Sequence, residues 1–280
     1  MHFMVSPDGL GAPHHMALDA YYSNLDLEEP VLRIYEFSMP TVTIGFRQNL
    51  EECLIPGAQH KYRLDFSRRV TGGKALLHQD GITYSLIIPR RLLNSDVKSS
   101  YRTICAPLFA ALSKWNENLR FECLNLPTSG LNQACFLEHA EETFHVNGIK
   151  VAGSAQRRSR KNILQHGQIQ LFPPKLNPGE ILLVDNKIDR SALDLLSGAS
   201  ILTERSENLL EEVVHDIRSE FEKNFGNSKS YALKCRDYTD QTEFLEALEM
   251  ARNLGFGSYC GSEKSEFRSE EREGSVEYAT

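Results

Sequence analysis

Two alternating segments meet at Asn147-Gly148, within Glu142-Thr143-Phe144-His145-Val146-Asn147-Gly148-Ile149-Lys150-Val151-Ala152. Asn-Gly is the dipeptide that best tolerates positive φ at both central positions of a type I′ turn, so the run predicts a β-hairpin. Further strands are expected over Val31–Phe37 and Thr41–Gly45, joined through Met39-Pro40, and over Leu64–Val70, Ile82–Ile88 and Ile163–Leu171. Pro89 and Pro173-Pro174 close two of them, because proline cannot extend a ladder inside a sheet. Helical spacing covers Met16–Asn24, Ser99–Asn118 with Ile104, Leu108, Ala111, Leu112 and Trp115 on one face, Glu207–Phe225, and Thr242–Leu254 behind Thr239 or Asp240 as N-cap. The expected class is α/β of the α+β kind: a mixed, largely antiparallel sheet flanked by helices.

Composition removes several classes of function. With 41% hydrophobic and 25% charged residues the chain can bury a sizeable core, and the net charge of −7 argues against affinity based on neutralising nucleic-acid phosphates. Cys53, Cys105, Cys123, Cys135, Cys235 and Cys260 form no C-x-x-C pair and no zinc spacing, so reduced thiols and no structural metal are expected. The first residues show no basic stretch leading into an apolar one, and no apolar run approaches the roughly 20 residues of a membrane span. The expectation is a cytoplasmic protein with no membrane association, monomeric by default.

Two segments can carry chemistry. In Arg68-Arg69-Val70-Thr71-Gly72-Gly73-Lys74-Ala75-Leu76-Leu77-His78, adjacent glycines let the backbone approach a ligand and turn N–H groups toward an anionic or carbonyl oxygen; an ordinary Gly-Gly turn with basic flanks reads equally well. It is neither a Walker loop nor G-x-G-x-x-G. In Gly148-Ile149-Lys150-Val151-Ala152-Gly153-Ser154-Ala155-Gln156-Arg157-Arg158, a lysine on the hairpin precedes an expected Gly-Ser-Ala turn of small residues, which fits a nearby ligand or a solvated strand lysine alike.

Taken together and in order, these segments carry a resemblance. Met16-Ala17-Leu18-Asp19, Pro40–Gln48, Arg68–His78 continuing to Thr83-Tyr84-Ser85, Lys150–Arg157 and Ile163-Leu164-Gln165-His166-Gly167 resemble the lipoate-protein ligase and octanoyltransferase family, within the biotin/lipoyl protein ligase superfamily, over about Gly11 to Leu171. The resemblance implies a biotin/lipoyl protein ligase-like catalytic domain with substrate-binding Arg69, Gly72, Gly73, His78, Gly153, Ser154, Ala155 and His166. It leaves two chemistries open. Lipoate ligases activate a free acid with ATP and Mg; octanoyltransferases take the chain from acyl carrier protein onto a cysteine and need no cofactor.

Cys135, fifteen residues ahead of Lys150, stands where the ligase-like octanoyltransferases carry their nucleophile, and Lys74 stands where many ligases have a third glycine; both favour the transferase. The resemblance thus implies Cys135 and Lys150 as catalytic residues. A thiol with pKa near 8.5 needs a neighbouring cation to ionise at neutral pH, and Lys150 is the candidate. His78 is expected to orient substrate or carry a proton, unless it is structural; His139 is incidental. Ile44, Val70, Ala75 and Leu77 are expected along the acyl tunnel by neighbourhood. The acceptor implied is a lysine of a lipoyl-domain protein, either glycine cleavage H protein or a 2-oxoacid dehydrogenase acyltransferase subunit. The basic run Arg157-Arg158-Ser159-Arg160-Lys161 reads as a solvated loop or as a docking patch for the acidic carrier. A non-catalytic module that kept the fold is the reading from another class.

The expected division is a catalytic domain over 1–200, a C-terminal helical extension of the same domain over 201–255, and an acidic disordered tail over 256–280. In that tail six glutamates face Lys264, Arg268 and Arg272, which accounts for −3 of the −7.

Overall fold

A computed structural model of the chain describes residues 1–5, 10–93, 96–123, 142–183, 199–227, 229–232 and 249. Among them a six-stranded sheet runs in the order β10-β11-β6-β2-β1-β12, built from β1 (His2–Val5), β2 (Val31–Tyr35), β6 (Ile82–Pro89), β10 (Ala152–Arg158), β11 (Asn162–Ile169) and β12 (Lys229–Ala232). Its pairs from β10 to β2 are antiparallel; β2, β1 and β12 are parallel. A separate small sheet has the order β4-β3-β5, from β3 (Thr41–Ile44), β4 (Asp65–Arg68) and β5 (Leu76–His78). A third joins β7 (Leu119–Glu122) to the hairpin β8 (Thr143–Val146) and β9 (Ile149–Lys150).

The hairpin forms where Asn147-Gly148 sets it, with φ of 51° and 78° at the two turn residues. The expected strands Val31–Phe37 and Thr41–Gly45 are both present but part company: β2 enters the large sheet and β3 the small one. That parting makes room for a site between the two sheets.

Alternation along the strands sorts side chains to the two faces of the large sheet. Leu32, Ile34, Tyr84, Leu86, Ile88 and Ile163 point into the main core. There they meet α4 (Val97–Leu112) and α5 (Glu207–Phe225), which contribute Ile104, Leu108, Val213, Ile217 and Phe221. The opposite face packs Val31, Ile87 and Leu164 against Ala17, Leu18 and Tyr21 of α1 (Ala12–Asn24). Short helices α2 (Leu50–Cys53) and α3 (Ala58–Tyr62) cover the small sheet.

Caps fix where the long helices begin. The Asp96 carboxylate accepts from Ser99 N, so α4 starts two residues before the expected Ser99; past Leu112 the chain turns, and the Asn116 amide donates to Ile201 O. Ser206 caps α5, which occupies the expected span. The Asp65 carboxylate accepts from Ala12 N and ties the start of α1 to β4.

The expected helix Thr242–Leu254, Cys135 and the acidic segment 256–280 lie outside the described residues. Five strands were not anticipated: β1, β5, β7, β10 and β12. Four of them have only three or four residues, which leaves no alternation long enough to read; the fifth, β10, runs through the Gly153-Ser154-Ala155 segment expected as a turn, where pairing with β11 holds the small residues extended. No helix among the described residues is long and apolar enough to cross a membrane.

With α5 packed on α4 and β12 on the edge of the large sheet, we propose that the expected extension beyond residue 200 unfolds with the rest as one cooperative unit. Ile217 of α5 is completely buried in the main core. Ile217→Ala should therefore cost about 2–5 kcal/mol of unfolding free energy by urea titration and leave a single transition; a separate early transition would show that α5 unfolds by itself.

Candidate active site

Facing α1 and the small sheet, the large sheet presents two rows of side chains that its register lines up across four strands. One row is Ala155, His166, Ser85 and Arg33; the next is Gly153, Gln168, Thr83 and Tyr35. The rows stand one two-residue step apart, about 7 Å along the strands. All eight positions lie on a face where apolar packing is interrupted, and the six polar ones would be costly to bury without partners.

The first row is organised by Asp19 of α1. Its carboxylate accepts from the Arg33 guanidinium, from Tyr35 Oη at 3.4 Å and from His166 Nδ1 at 2.7 Å, all within the buried interior. Burial alone would raise the Asp19 carboxyl; Arg33 and the His166 hydrogen bond more than offset this and hold it below the ordinary carboxylate value. On the far side of the imidazole, His166 Nε2 lies 2.7 Å from Thr71 Oγ1. Asp19 and Thr71 occupy the two ring nitrogens of His166. The chain Arg33, Asp19, His166, Thr71 thus runs from the core to the glycine loop.

The loop itself is held by Arg69. Nη1 donates to Thr43 O and to Thr43 Oγ1, both at 2.7 Å, while Nη2 donates to Lys74 O at 2.7 Å and Gly72 O at 3.3 Å. Arg69, expected as a substrate binder, shapes the loop through these bonds and also lines the cavity. Gly73 has φ of 86°, a left-handed conformation that favours glycine. Gly45 was not singled out, yet a Cβ there would stand 1.9 Å from Gly73 O, so the loop can sit where it does only over a glycine. Arg157 Nη1 donates to Val70 O at 3.0 Å and braces the loop from outside; it is exposed, as are Arg160 and Lys161 of the same basic run.

The second row is closed by His78 of β5. Thr43 Oγ1 already accepts from Arg69, so its own proton goes to His78 Nε2 at 2.7 Å; His78 Nδ1–H then donates to Gln168 Oε1 at 3.0 Å, which Thr83 Oγ1 also donates to. Burial, reinforced by the Arg69 charge, lowers the His78 pKa to about 3. An imidazole held neutral, with both nitrogens hydrogen-bonded to protein side chains, fits the structural reading and an orienting role and speaks against proton delivery near pH 7.

Between the rows and the small sheet lies a narrow cavity, about 10 Å³, bounded by Met16, Leu76, Tyr35, Arg69, His78, Thr83, Gly153, Ser154, Ala155, His166 and Gly167. Six of the expected substrate-binding residues therefore line one space, and Gly73 adjoins it: a Cβ there would stand 3.5 Å from Arg69 Nη2 and 3.8 Å from Ala155 Cβ. Gly72 joins through the Arg69 bond to its carbonyl. Lys150 is buried on β9, at 8% exposure, and is not among the lining residues.

The expected tunnel residues do not line it. Ile44, Ala75 and Leu77 pack beneath the small sheet, and Val70 packs with α1. Strand parity is the reason: on β5, Leu76 and His78 share the cavity side and Leu77 takes the other. Met16 and Leu76 are buried yet belong to none of the three apolar clusters. Asp19, Arg33, Tyr35, Thr43, Thr83 and Gln168 were also missed as parts of the site, although an arginine central in Val31-Leu32-Arg33-Ile34-Tyr35 was the available signal.

Among the described cysteines, burial pushes the Cys53 thiol up to about 11 and the Cys105 thiol up to about 12. Both are held protonated and are poor nucleophiles.

The fold and the order of these motifs define a catalytic domain of the lipoyl protein ligase type. The family model described as the lipoyl protein ligase A/B catalytic domain matches residues 12–216, and the chain belongs to that family. Octanoyltransferase LipM of Clostridioides difficile is 35% identical over 149 residues, which cover 51% of this chain and 54% of that protein. The match thus spans about half the length of that curated relative. Octanoyltransferase LipM of Lysinibacillus sphaericus is 29% identical over 255 residues, covering 84% and 90%. A bi-partite lipoate protein ligase from Thermoplasma acidophilum, solved with its E2 lipoyl domain, shares the fold with a TM-score of 0.66 at 18% identity, covering 90% of this chain and 92% of that one.

The depressed His78 pKa has a consequence for stability. Between pH 6.5 and about 3 the unfolded histidine binds a proton that the folded one refuses, so this group's stabilisation is complete above pH 6.5 and is lost as the pH falls. From pH 7 to pH 5 it accounts for about 2 kcal/mol. Urea titrations at the two pH values should show the drop shrinking by about that much in His78→Gln; an equal drop in both proteins would mean that His78 titrates normally when folded.

Proposed function

We propose that the chain is an octanoyltransferase of protein lipoylation. It holds an octanoyl chain as a Cys135 thioester and passes it to a lysine of a lipoyl-domain protein. The reading is supported above all by the buried Met16 and Leu76, apolar walls left out of the packed cores beside a glycine loop, in a chain whose relatives at 29–35% identity are named octanoyltransferases. Both side chains have rotamer freedom, and their parting opens the slot to an alkyl chain.

The Cys135 thiolate attacks the carbonyl carbon of octanoyl-acyl carrier protein. A carbon–sulfur bond forms, the bond to the carrier sulfur breaks, and the carrier thiol leaves with the proton that Cys135 gave up. The neutral ε-amine of the acceptor lysine then attacks the acyl-enzyme. The amide forms, the bond to Cys135 breaks, and the proton lost by the amine returns to the thiolate. Negative charge appears on the carbonyl oxygen in both steps. Lys150 and the amides of Gly72-Gly73 are the groups assigned to stabilise it, with the buried guanidinium of Arg69 beside the loop. The exposed Arg160 and Lys161 suit an acidic carrier protein. The route uses no ATP.

Intact-mass spectrometry after incubation with octanoyl-acyl carrier protein, without ATP, tests this. One octanoyl group should appear on the wild-type protein and be lost in Cys135→Ser, and Lys150→Met should slow its transfer to a lipoyl domain by about 10²-fold or more. Acylation of the lipoyl domain that requires ATP and survives Cys135→Ser would falsify the transferase and return the ligase.

A further inference from the structure

The slot runs in a definite direction. Gly73 stands beside Ala155 of the first row, while His78 bonds to Thr83 and Gln168 of the second, so the slot leads away from the glycine loop and ends on His78. Behind that end lies a second, open cavity of about 840 Å³, reached by Phe37, Met39, Gln79 and Leu176. His78 borders both cavities and Gln168 borders the second, so one layer of side chains separates them. The Phe37 ring lies edge-on to the imidazole, 4.6 Å between centroids. Thr43, Thr83 and Gln168 fix the imidazole by hydrogen bonds at 2.7, 3.2 and 3.0 Å.

Such a partition differs from an ordinary core wall. An apolar side chain at position 78 could slide or change rotamer under a growing alkyl chain, whereas three directional bonds pin the imidazole, and displacing it would strand buried donors and acceptors. A methyl terminus reaching this point therefore meets a wall that neither yields nor offers it an apolar surface. Beyond the wall there is room for several further carbons.

We propose that His78, held by Gln168 and Thr83 and covered by Phe37, is the stop that sets the longest acyl chain the protein accepts. This rests on the acyl-carrying reading given above. Each methylene that enters an apolar space gains about 0.8 kcal/mol, so discrimination against longer chains requires a barrier of this kind. Removing the imidazole joins the slot to the groove and converts a rejected chain into an accepted one.

The experiment offers the full-length protein an equimolar mixture of octanoyl- and dodecanoyl-acyl carrier protein and reads the ratio of the two adducts by intact mass. Wild type should carry octanoyl almost alone. His78→Ala should raise the dodecanoyl-to-octanoyl ratio about tenfold or more, and added imidazole, refilling the gap, should lower it again. Should His78→Ala not fold by circular dichroism, Phe37→Ala thins the same wall from the half-buried groove side and should raise the ratio by a smaller factor. Octanoylation that persists with an unchanged ratio in the folded variants overturns the stop alone. Absence of any acyl adduct on the wild-type protein overturns the acyl-carrying reading and the stop with it.

Discussion

One carboxylate, Asp19, is shared by a guanidinium, an imidazole and a phenol in the middle of the molecule. Taking such charges out of water costs several kcal/mol per ion, and the cost is offset only when each lone pair and proton finds a partner. The geometry around Asp19 comes from three separate elements: α1 supplies the acid, β2 supplies Arg33 and Tyr35, and β11 supplies His166. None can move without leaving a buried charge uncompensated, so the ion pair locks the register of helix against sheet. Through His166 and Thr71 the lock extends to the glycine loop, and the loop is placed by the core rather than by its own sequence.

The same economy explains the roles of the other polar side chains. Arg69 donates to Thr43 and to the carbonyls of Gly72 and Lys74. Burial first, and the Arg69 charge second, keep His78 neutral. One group thus serves two ends: it favours negative charge near the loop and prevents a competing imidazolium deeper in the slot.

How far this was legible beforehand depends on the range of the interaction involved. The Asn147-Gly148 turn, the strands on either side of it and helix α5 follow from local chemistry, and the chain forms them where that chemistry puts them. The helix Ser99–Asn118 was misplaced at both ends because its limits are set by the Asp96 cap and by the Asn116 contact with Ile201, the second a tertiary event. Of the residues expected to bind substrate, Gly153, Ala155 and His166 line the cavity; Asp19, Arg33 and Gln168 beside them were not anticipated, since what joins them is helix-on-sheet packing and cross-strand register over separations of up to 147 residues. The tunnel was misassigned from chain neighbourhood, where strand parity decides: adjacent residues on β5 face opposite ways, so Leu76 enters the slot and Leu77 the core.

The two sheets that bound the slot share no strand ladder, and what stitches them together is polar and lies at the ends. Thr71 with His166 closes one end, and His78 with Thr83 and Gln168 closes the other. Between these ties Met16 and Leu76 line the gap, outside the three packed clusters. Hydrogen bonds are directional and fail when their partners shift by an ångström, whereas apolar contacts are non-directional and survive sliding. The joint is therefore stiff at both ends and soft in the middle, and a ligand that opens the middle need not break the ends. On the proposed reading, such a seam takes up a flexible alkyl chain while keeping the reacting end and the far wall at a fixed separation, which is the condition for measuring that chain by length.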